Sequence, residues 1–488
     1  MKQICILGSG FASLSAASYL AKAGHQVTLF EKNDQVGGRA QQFKKDGFLF
    51  DMGPTWYWMP DVFERFFADF DHLPSDFYSL ERLDPAYKIY FGPDDAVQIS
   101  SHLNKIYELF ENEEPGSAVQ LKRFLKLAEK NYEISVTDLV YRPGVSPLEL
   151  VTPKTIFKLQ EMFFDIRRQV KKMFMNPRLI KILEFPVLFL GAKPGNTPSF
   201  YNFMNWADFG LGTWHPKGGM FEIVRGMETM AKELGVVFKL NAPVDQIIVD
   251  ENGKATDILV DGVRHQFDVV LSGADYHHTE QLLAPIHRQY SEKYWENRTF
   301  APSALLFYVG FDKKIANVDH HTLFFDAEFD GHAEYIYDNP GWPADPLFYA
   351  SFPGKSDSAF APEGMEAATF LIPIATGLDD NESERQKYFD IIMDRLEKNT
   401  GQRVRKNILF TRSYCVDDFV NDYNSYQGNA YGLANTLRQT AFLRPRIKSK
   451  KVNNLFFTGQ LTVPGPGVPP ALISGKIAAE MVLKHLEA

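Results

Sequence analysis

ICILGSGFASLSAASYLAKAGHQVTLFEKNDQVGGR, residues 4–39, decides the fold. Ile4–Leu7 is a short apolar run of the kind that forms a buried parallel strand, and Gly8, Gly10 and Ser13 then occupy the three positions of a G-x-G-x-x-G turn. Leu14, Ala17, Leu20 and Ala21 recur at helical spacing, Gly24 stops the helix, and Val27–Phe30 is a second apolar strand ending at Glu31. The pattern predicts a complete β-α-β unit. Gly8 permits the tight turn, Gly10 lets the backbone approach a pyrophosphate, and the phosphates sit on unpaired amides at the helix N-terminus. Glu31 stands 21 residues after Gly10, where a carboxylate accepts hydrogen bonds from a ribose diol and repels a 2′-phosphate. The unit therefore predicts a dinucleotide site and disfavours NADP. Ser13 replaces the third glycine, which predicts a slightly wider helix–strand contact.

Moving outward, the acid at 31 is followed by Lys32, by Gly37-Gly38-Arg39, by Gly47-Phe48 and by FDMGPT at 50–55. This succession resembles the extended FAD signature of the flavoprotein group that includes amine oxidases and carotenoid desaturases. The resemblance implies FAD, with Lys32, Gly38, Arg39, Gly53, Pro54 and Thr55 among the residues that hold it. Two adjacent glycines let backbone amides reach a diphosphate, and the fixed guanidinium fork of Arg39 can lie against the flavin or its phosphates.

The other end of the chain agrees. Leu455–Thr458 reads as a strand ended by Gly459, and VPGPGVPP at 463–470 as a rigid loop delivering a helix that begins near Ala471. Gly467, Val468 and Pro469 then stand where a helix N-terminus, carrying about half a positive charge, faces the pyrimidine edge of a flavin. Gln460 follows the glycine where many flavoproteins place an acid, and its amide can make the same bond. No second G-x-G-x-x-G follows a predicted strand, so the flavin is expected to take electrons from substrate and pass them to oxygen or a quinone.

The composition sets outer limits. A chain of 488 residues, 45% hydrophobic, can build two or three domains around full cores. Its two cysteines, Cys5 and Cys415, lie far apart, which rules out a disulfide framework or a cysteine metal site. The adjacent pairs His277-His278 and His320-His321 would face opposite ways in a strand, so no metal site is expected. A net charge of −9 argues against nucleic acid as a partner. The N-terminus has no signal-peptide pattern and no apolar run approaches 18 residues, which predicts neither export nor a transmembrane span.

The charge is nevertheless uneven. From Lys154 to Lys181 eight Lys or Arg stand against Glu161 and Asp165, while Ile156, Leu159, Phe163, Ile166, Val170 and Phe174 recur at spacings of three and four. This reads as a basic amphipathic helix, either core-packed with a solvated face or docked on anionic lipid. Aromatic clusters such as WYWMP (56–60) and SFYNFMNW (199–206) suit a core or a long apolar tunnel with its mouth at a membrane.

The remaining segments interleave. A glycine turn, helix and strand over 217–240, a hairpin of 244–249 with 257–260, and a buried strand within 267–275 are assigned to the nucleotide domain, with the backbone of Val244 able to meet the adenine. Strand-like stretches at 304–311, 322–326, 347–352 and 367–374 suit a second, antiparallel sheet. The predicted class is α/β: a Rossmann-type FAD-binding domain (1–70, 214–300, 440–488), a β-sheet substrate domain (71–110, 301–439), and a helical membrane-facing region (111–213).

DMGPTWYWMP, WHPKGGMFEIVRGMETMAKELG (214–235), VVLSGADYHH (269–278) and the C-terminal NLFFTGQLTVPGPGVPPALISGKIAAE (454–480) together resemble the bacterial-type phytoene desaturases. That resemblance implies non-covalent FAD and a monotopic protein on the cytoplasmic side of a membrane, taking a linear carotenoid from the bilayer and desaturating it from phytoene toward lycopene. A desaturase of a later hydroxylated carotenoid, a carotenoid isomerase or ketolase, and a non-catalytic prenyl-lipid binder like the Rab GDP-dissociation inhibitors remain open. The sequence names no general base; His215, His277 and Asp275 fall near predicted strand ends of the nucleotide domain.

Overall fold

A computed structural model of the protein describes residues 1–150, 164–436 and 438–487. Strand β1 (Gln3–Leu7), helix α1 (Phe11–Lys22) and strand β2 (Gln26–Phe30) form the expected unit, with β1 parallel to β2 in the register Ile4↔Val27. The central position of β1 explains its unbroken apolar character, because helices cover both faces of such a sheet. Its other neighbour is Val269–Ser272, and the sheet order is Leu455–Phe457, Val269–Ser272, β1, β2, Val237–Lys239. The final strand thus lies two places from the first, and both ends of the chain build one crevice.

The C-terminal helix Val468–Glu487 packs on α1 at very close range. Gly475 makes this possible: a Cβ there would lie 2.3 Å from the Ala12 carbonyl oxygen, and beside it Ser15 Oγ donates to Leu472 O at 2.8 Å. The helix begins at Val468, three residues before the expected start, because Pro469 and Pro470 sit in its first turn, where no backbone N–H is needed.

The hairpin expected at 244–249 is a three-stranded meander, Val244–Val249, Ala255–Val260 and Val263–Gln266. The second sheet has seven strands in the order Ile408–Tyr414, Ser303–Phe311, Glu366–Ile374, Phe348–Ser351, His321–Phe324, Tyr87–Gly92, Asp95–Ile99. It is mixed and not wholly antiparallel: Thr322–Phe324 runs parallel to Lys88–Tyr90. In the hairpin Tyr87–Gly92/Asp95–Ile99, the second strand alternates the exposed Ala96 and Gln98 with the buried Val97 and Ile99.

Helices Leu103–Glu113 and Ser117–Thr137 pack on each other, as do Ile166–Met173 and Pro177–Glu184. The single basic helix expected over 154–181 is corrected here. Residues 151–163 lie outside the described ones, and the remainder forms two short helices separated at Phe174–Asn176. Asn176 caps the second by accepting from Arg178 N, with Pro177 in its first turn. Among the described residues no helix is long and apolar enough to cross a membrane.

Candidate functional site

The cradle begins where β1 ends. Gly8 adopts φ 82° and donates its amide to Phe30 O at 2.8 Å, which turns the chain beneath β2. Gly10 is the N-cap of α1 and has no side-chain capping bond, and a Cβ on it would meet nothing within 4 Å. The N-terminal amides of α1 therefore open onto free space, the arrangement that binds a diphosphate. The Gly37-Gly38 turn closes the opposite wall: Gly37 N donates to Ser9 O at 3.0 Å, and a Cβ on Gly38 would sit 3.2 Å from Gly10 Cα. A Cβ on Gly53 would fall 2.0 Å from Arg39 O, so the 53–55 segment is held against this turn.

Glu31 is buried, and Oε2 accepts from Ser9 N at 2.9 Å and Ser9 Oγ at 2.6 Å while Oε1 accepts from Asn33 N at 2.9 Å. It braces the glycine turn and still lines the cavity, with acceptor capacity left for a diol. Lys32 turns its ammonium to Asn421 O and Asn424 Oδ1. Arg39 is half-buried beneath the 423–429 loop. Its Nη2 donates to Ser425 Oγ and Asn429 O, and its guanidinium lies 5.3 Å from the Tyr423 ring. Burial lowers its pKa, and Nε, buried, has no partner. The Gln460 amide lies 3.0 Å from Asn429 Oδ1, so the loop after the last strand joins the same wall.

Arg444 sets that wall in place. Its buried guanidinium donates to the carbonyls of Leu433, Gln439, Gln460 and Thr462 and to Asn435 Oδ1, and burial pulls its pKa down to about 10. Nothing in its local sequence marks it, because its partners are reached only through the fold. The same is true of Ser9, Ser425 and Asn429.

The glycine turns, Glu31, Lys32, Arg39 and Gln460 border one cavity of about 1250 Å³, and Arg444, Ser425 and Asn429 stand behind its wall. Roughly 300–1,000 Å³ encloses a drug-sized ligand, so there is room for a dinucleotide and a second apolar molecule. Gly8, Gly10, Glu31, Lys32, Gly38, Arg39, Gly53, Pro54, Thr55, Val244, Gly459, Gln460, Gly467, Val468 and Pro469 all line it. Ser13 does not: it is buried against Gly273. Beyond Thr55 the walls become aromatic, with Trp56, Trp58, Phe185, Phe325, Phe329 and Tyr349.

Of the residues considered as bases, Asp275 lines the cavity, where it accepts from His278 N and Tyr426 N at 3.3 Å each. His277 bonds Glu292 outside the cavity. His215 sits on Trp214–Pro216, away from the nucleotide sheet, bonded to Asp357 at 3.2 Å.

The family of flavin-containing amine oxidoreductases matches residues 11–483. The chain is 40% identical over 491 residues, 99% of each protein, to the carotenoid 3,4-desaturase of Haloarcula japonica. To the 4,4'-diapophytoene desaturase (4,4'-diaponeurosporene-forming) of Staphylococcus haemolyticus it is 34% identical over 497 residues, again 99% of each. An oxidoreductase structure from Methanosarcina mazei shares the fold with TM-score 0.66 at 18% identity, covering 98% of this chain and 100% of that one. The protein thus belongs to the family of flavin-containing amine oxidoreductases. Within that class it belongs to the carotenoid desaturase family. Its cofactor is FAD, and the unfilled helix terminus, the glycine walls and the unpartnered Arg39 Nε fit that group.

Proposed function

We propose that this protein desaturates a linear C40 carotenoid, with phytoene as the substrate, toward more conjugated carotenes. The observation that carries the reading is the single cavity in which a dinucleotide cradle passes without a break into an aromatic chamber. When bound, FAD supplies a two-electron acceptor for a hydride from the substrate. The chain's own work is to bind the diphosphate and ribose through the α1 terminus, Glu31 and the Gly37-Gly38 turn. The aromatic walls align the polyene and exclude water, which converts binding into orientation at the reacting carbons. Allylic delocalisation lowers the intrinsic barrier, so positioning supplies much of the rate.

Moving a C40 chain into water would cost on the order of 30 kcal/mol at about 0.8 kcal/mol per buried carbon unit, so the substrate must enter from lipid. Val145, Leu148 and Leu443 are exposed apolar side chains beside the cavity-lining Gly144, Ser146 and Pro147. This edge supports peripheral docking on a membrane, with oxygen or a quinone reoxidising the cofactor.

A second reading is desaturation of a later, hydroxylated carotenoid; the full-length Haloarcula relative is a carotenoid 3,4-desaturase, which supports a desaturation other than that of phytoene. The experiment is anaerobic mixing of the holoenzyme with each carotenoid in liposomes. Under the first reading phytoene bleaches the flavin band and the carotenoid spectrum moves to the red. Bleaching by the hydroxylated carotenoid alone selects the second reading, and a change in double-bond geometry without bleaching selects an isomerase.

A further inference from the structure

Tyr337 ends the helix Phe329–Tyr337, and Tyr431 stands in the loop between Asn429 and Leu433. Both are half-buried and line the cavity. Burial raises the pKa of both phenols, that of Tyr431 to about 12, and the charge of Tyr431 adds to the effect on Tyr337 and on Tyr349. The two hydroxyls are therefore neighbours that stay protonated, each with a proton to donate. Among the described residues neither Oη has a hydrogen-bond partner.

The other hydroxyls of the wall are placed differently. Tyr349 Oη is bonded to Thr55, His321, Ser351 and Trp56, Tyr201 Oη to Thr440 at 2.9 Å, and Tyr423 to Tyr414. Ser135 Oγ is buried without a partner, but a serine within a helix can turn its hydroxyl onto the carbonyl one turn back. A phenol has no such choice. Charged groups beside the pair are spent as well. Lys193 on the same wall is paired with Asp338, the residue after Tyr337. His332 accepts from Leu347 N at 2.9 Å and bonds Pro373 O at 2.7 Å, and burial keeps it neutral, its pKa lowered to about 4. Ala333, Ile336 and Ala430 add only apolar surface.

Both phenols stand on fixed supports. The helix is tied by Asp330 to Arg167 at 2.6 Å and by His332 to the sheet, while Gly432 beside Tyr431 bonds Ala301 N at 2.8 Å and Asn429 Oδ1 at 3.0 Å. Donors placed before the ligand arrives cost little ordering on binding. A hydrocarbon filling this space leaves each hydroxyl without an acceptor, at a loss on the order of tenfold in affinity. An oxygen on the ligand removes that loss. The wall offers a cation no free carboxylate here and an anion no free cation, so the ligand group is neutral.

We propose that Tyr337 and Tyr431 form a donor site for a neutral oxygen acceptor carried on an apolar molecule. This chemistry is shared by the hydroxyl at the end of an oxygenated carotenoid and the carbonyl of a quinone oxidant. The proposal rests on the function proposed above for the apolar body of the ligand and adds its polar end. It is a binding role, and no bond is made or broken at the phenols.

The test titrates wild type, Tyr337→Phe, Tyr431→Phe and the double variant as flavin-loaded protein in liposomes. A C40 carotene, and the same carotene carrying one terminal hydroxyl, are added to the reduced holoenzyme, which has no capacity to take further electrons. An isoprenoid benzoquinone is added to the oxidised holoenzyme. Each single variant is expected to lose on the order of tenfold in affinity for at least one oxygen-bearing probe, and the double variant more, while affinity for the hydrocarbon stays level or rises. A loss confined to the hydroxylated carotene assigns the site to the substrate, one confined to the quinone assigns it to the oxidant, and losses for both show one site serving the two in turn. Unchanged affinity for both oxygen-bearing probes overturns the proposal. So does an equal loss for the hydrocarbon, which marks a packing role. If wild type binds the quinone and neither carotene, the function proposed above fails, and the response of the variants to the quinone still decides the pair. The phenols are replaced one at a time, so a variant that does not fold leaves the other to give the answer.

Discussion

Ser13 and Gly273 face each other with no room for a second side chain: a Cβ on Gly273 would lie 2.0 Å from Ser13 Oγ. The third position of the glycine turn exists to let helix and sheet approach. Here the glycine has moved across the contact, onto the residue after Val269–Ser272, so the wider spacing expected from Ser13 does not arise. Gly273→Ala is expected to destabilise by about 1–3 kcal/mol, since rotating the hydroxyl still leaves the new methyl 3.3 Å from Ser13 Cβ and Thr458 Cγ2. The double variant Ser13→Gly/Gly273→Ala should recover most of that loss. Thermal melting checks both, and an unchanged midpoint for Gly273→Ala would show the contact to be loose.

Glu31 has two jobs that can be separated. It holds Ser9 and Asn33 through three hydrogen bonds and presents its remaining acceptor capacity to the cavity. Glu31→Ala removes both jobs and should yield protein that loses FAD on gel filtration. Ser9→Ala removes only one brace, about 1.5–3 kcal/mol for a bond to a charged group, and should keep the flavin with a lower melting temperature. Equal flavin occupancy in Glu31→Ala and wild type would refute the ribose assignment.

What could be read in the chain and what could not divides by range. The β1–α1–β2 unit and the last strand were legible because glycines, apolar runs and a terminal acid act within some 30 residues. The C-terminal helix starts at Val468 and not near Ala471 because Pro469 and Pro470 belong to its first turn and not to the rigid loop. Asn176-Pro177 was a readable cap that the basic apolar spacing concealed. The partners of Arg39 were beyond any spacing argument, since Ser425 and Asn429 stand 386 and 390 residues away in the chain. Tyr349 and His321 likewise meet across two strands, and each looks like an ordinary sheet residue in sequence.

The basic segment divides into structural and exposed cations. Arg167 makes a two-pronged ion pair with the buried Glu184 and a further bond to Asp330, and Arg178 bonds Glu113. Lys181 faces the carbonyls of Phe325 and Ala327. Arg168, Lys171 and Lys172 are exposed, the first and last beside the exposed Phe164 ring. Reversing these three to Glu should release the protein from anionic liposomes, at about 1 kcal/mol per charge, and leave the melting temperature unchanged. Arg167→Glu should instead lower the melting temperature, because it strands a buried carboxylate. Equal sedimentation of the triple variant and the parent would remove this segment from any lipid contact.

Asp208 carries a pH signature. Its carboxyl is buried, accepts from Tyr87 Oη at 2.7 Å through Oδ2, and has no partner at Oδ1. Burial pushes its pKa up to about 7, against hydrogen bonds from Tyr87 and Thr213 that pull the other way. An unfolded aspartate titrates near about 4, so the folded chain holds this proton more tightly than the unfolded one. The stabilisation from that proton is complete below about pH 4 and is lost as the pH rises through about 7. Asp208→Asn cannot ionise and still offers Tyr87 an acceptor. Its melting temperature relative to wild type should therefore be nearly level at about pH 3.5 and should rise by several degrees at about pH 8. Melting curves at the two pH values decide this, and a difference that stays constant between them would mean that Asp208 titrates as an ordinary exposed aspartate.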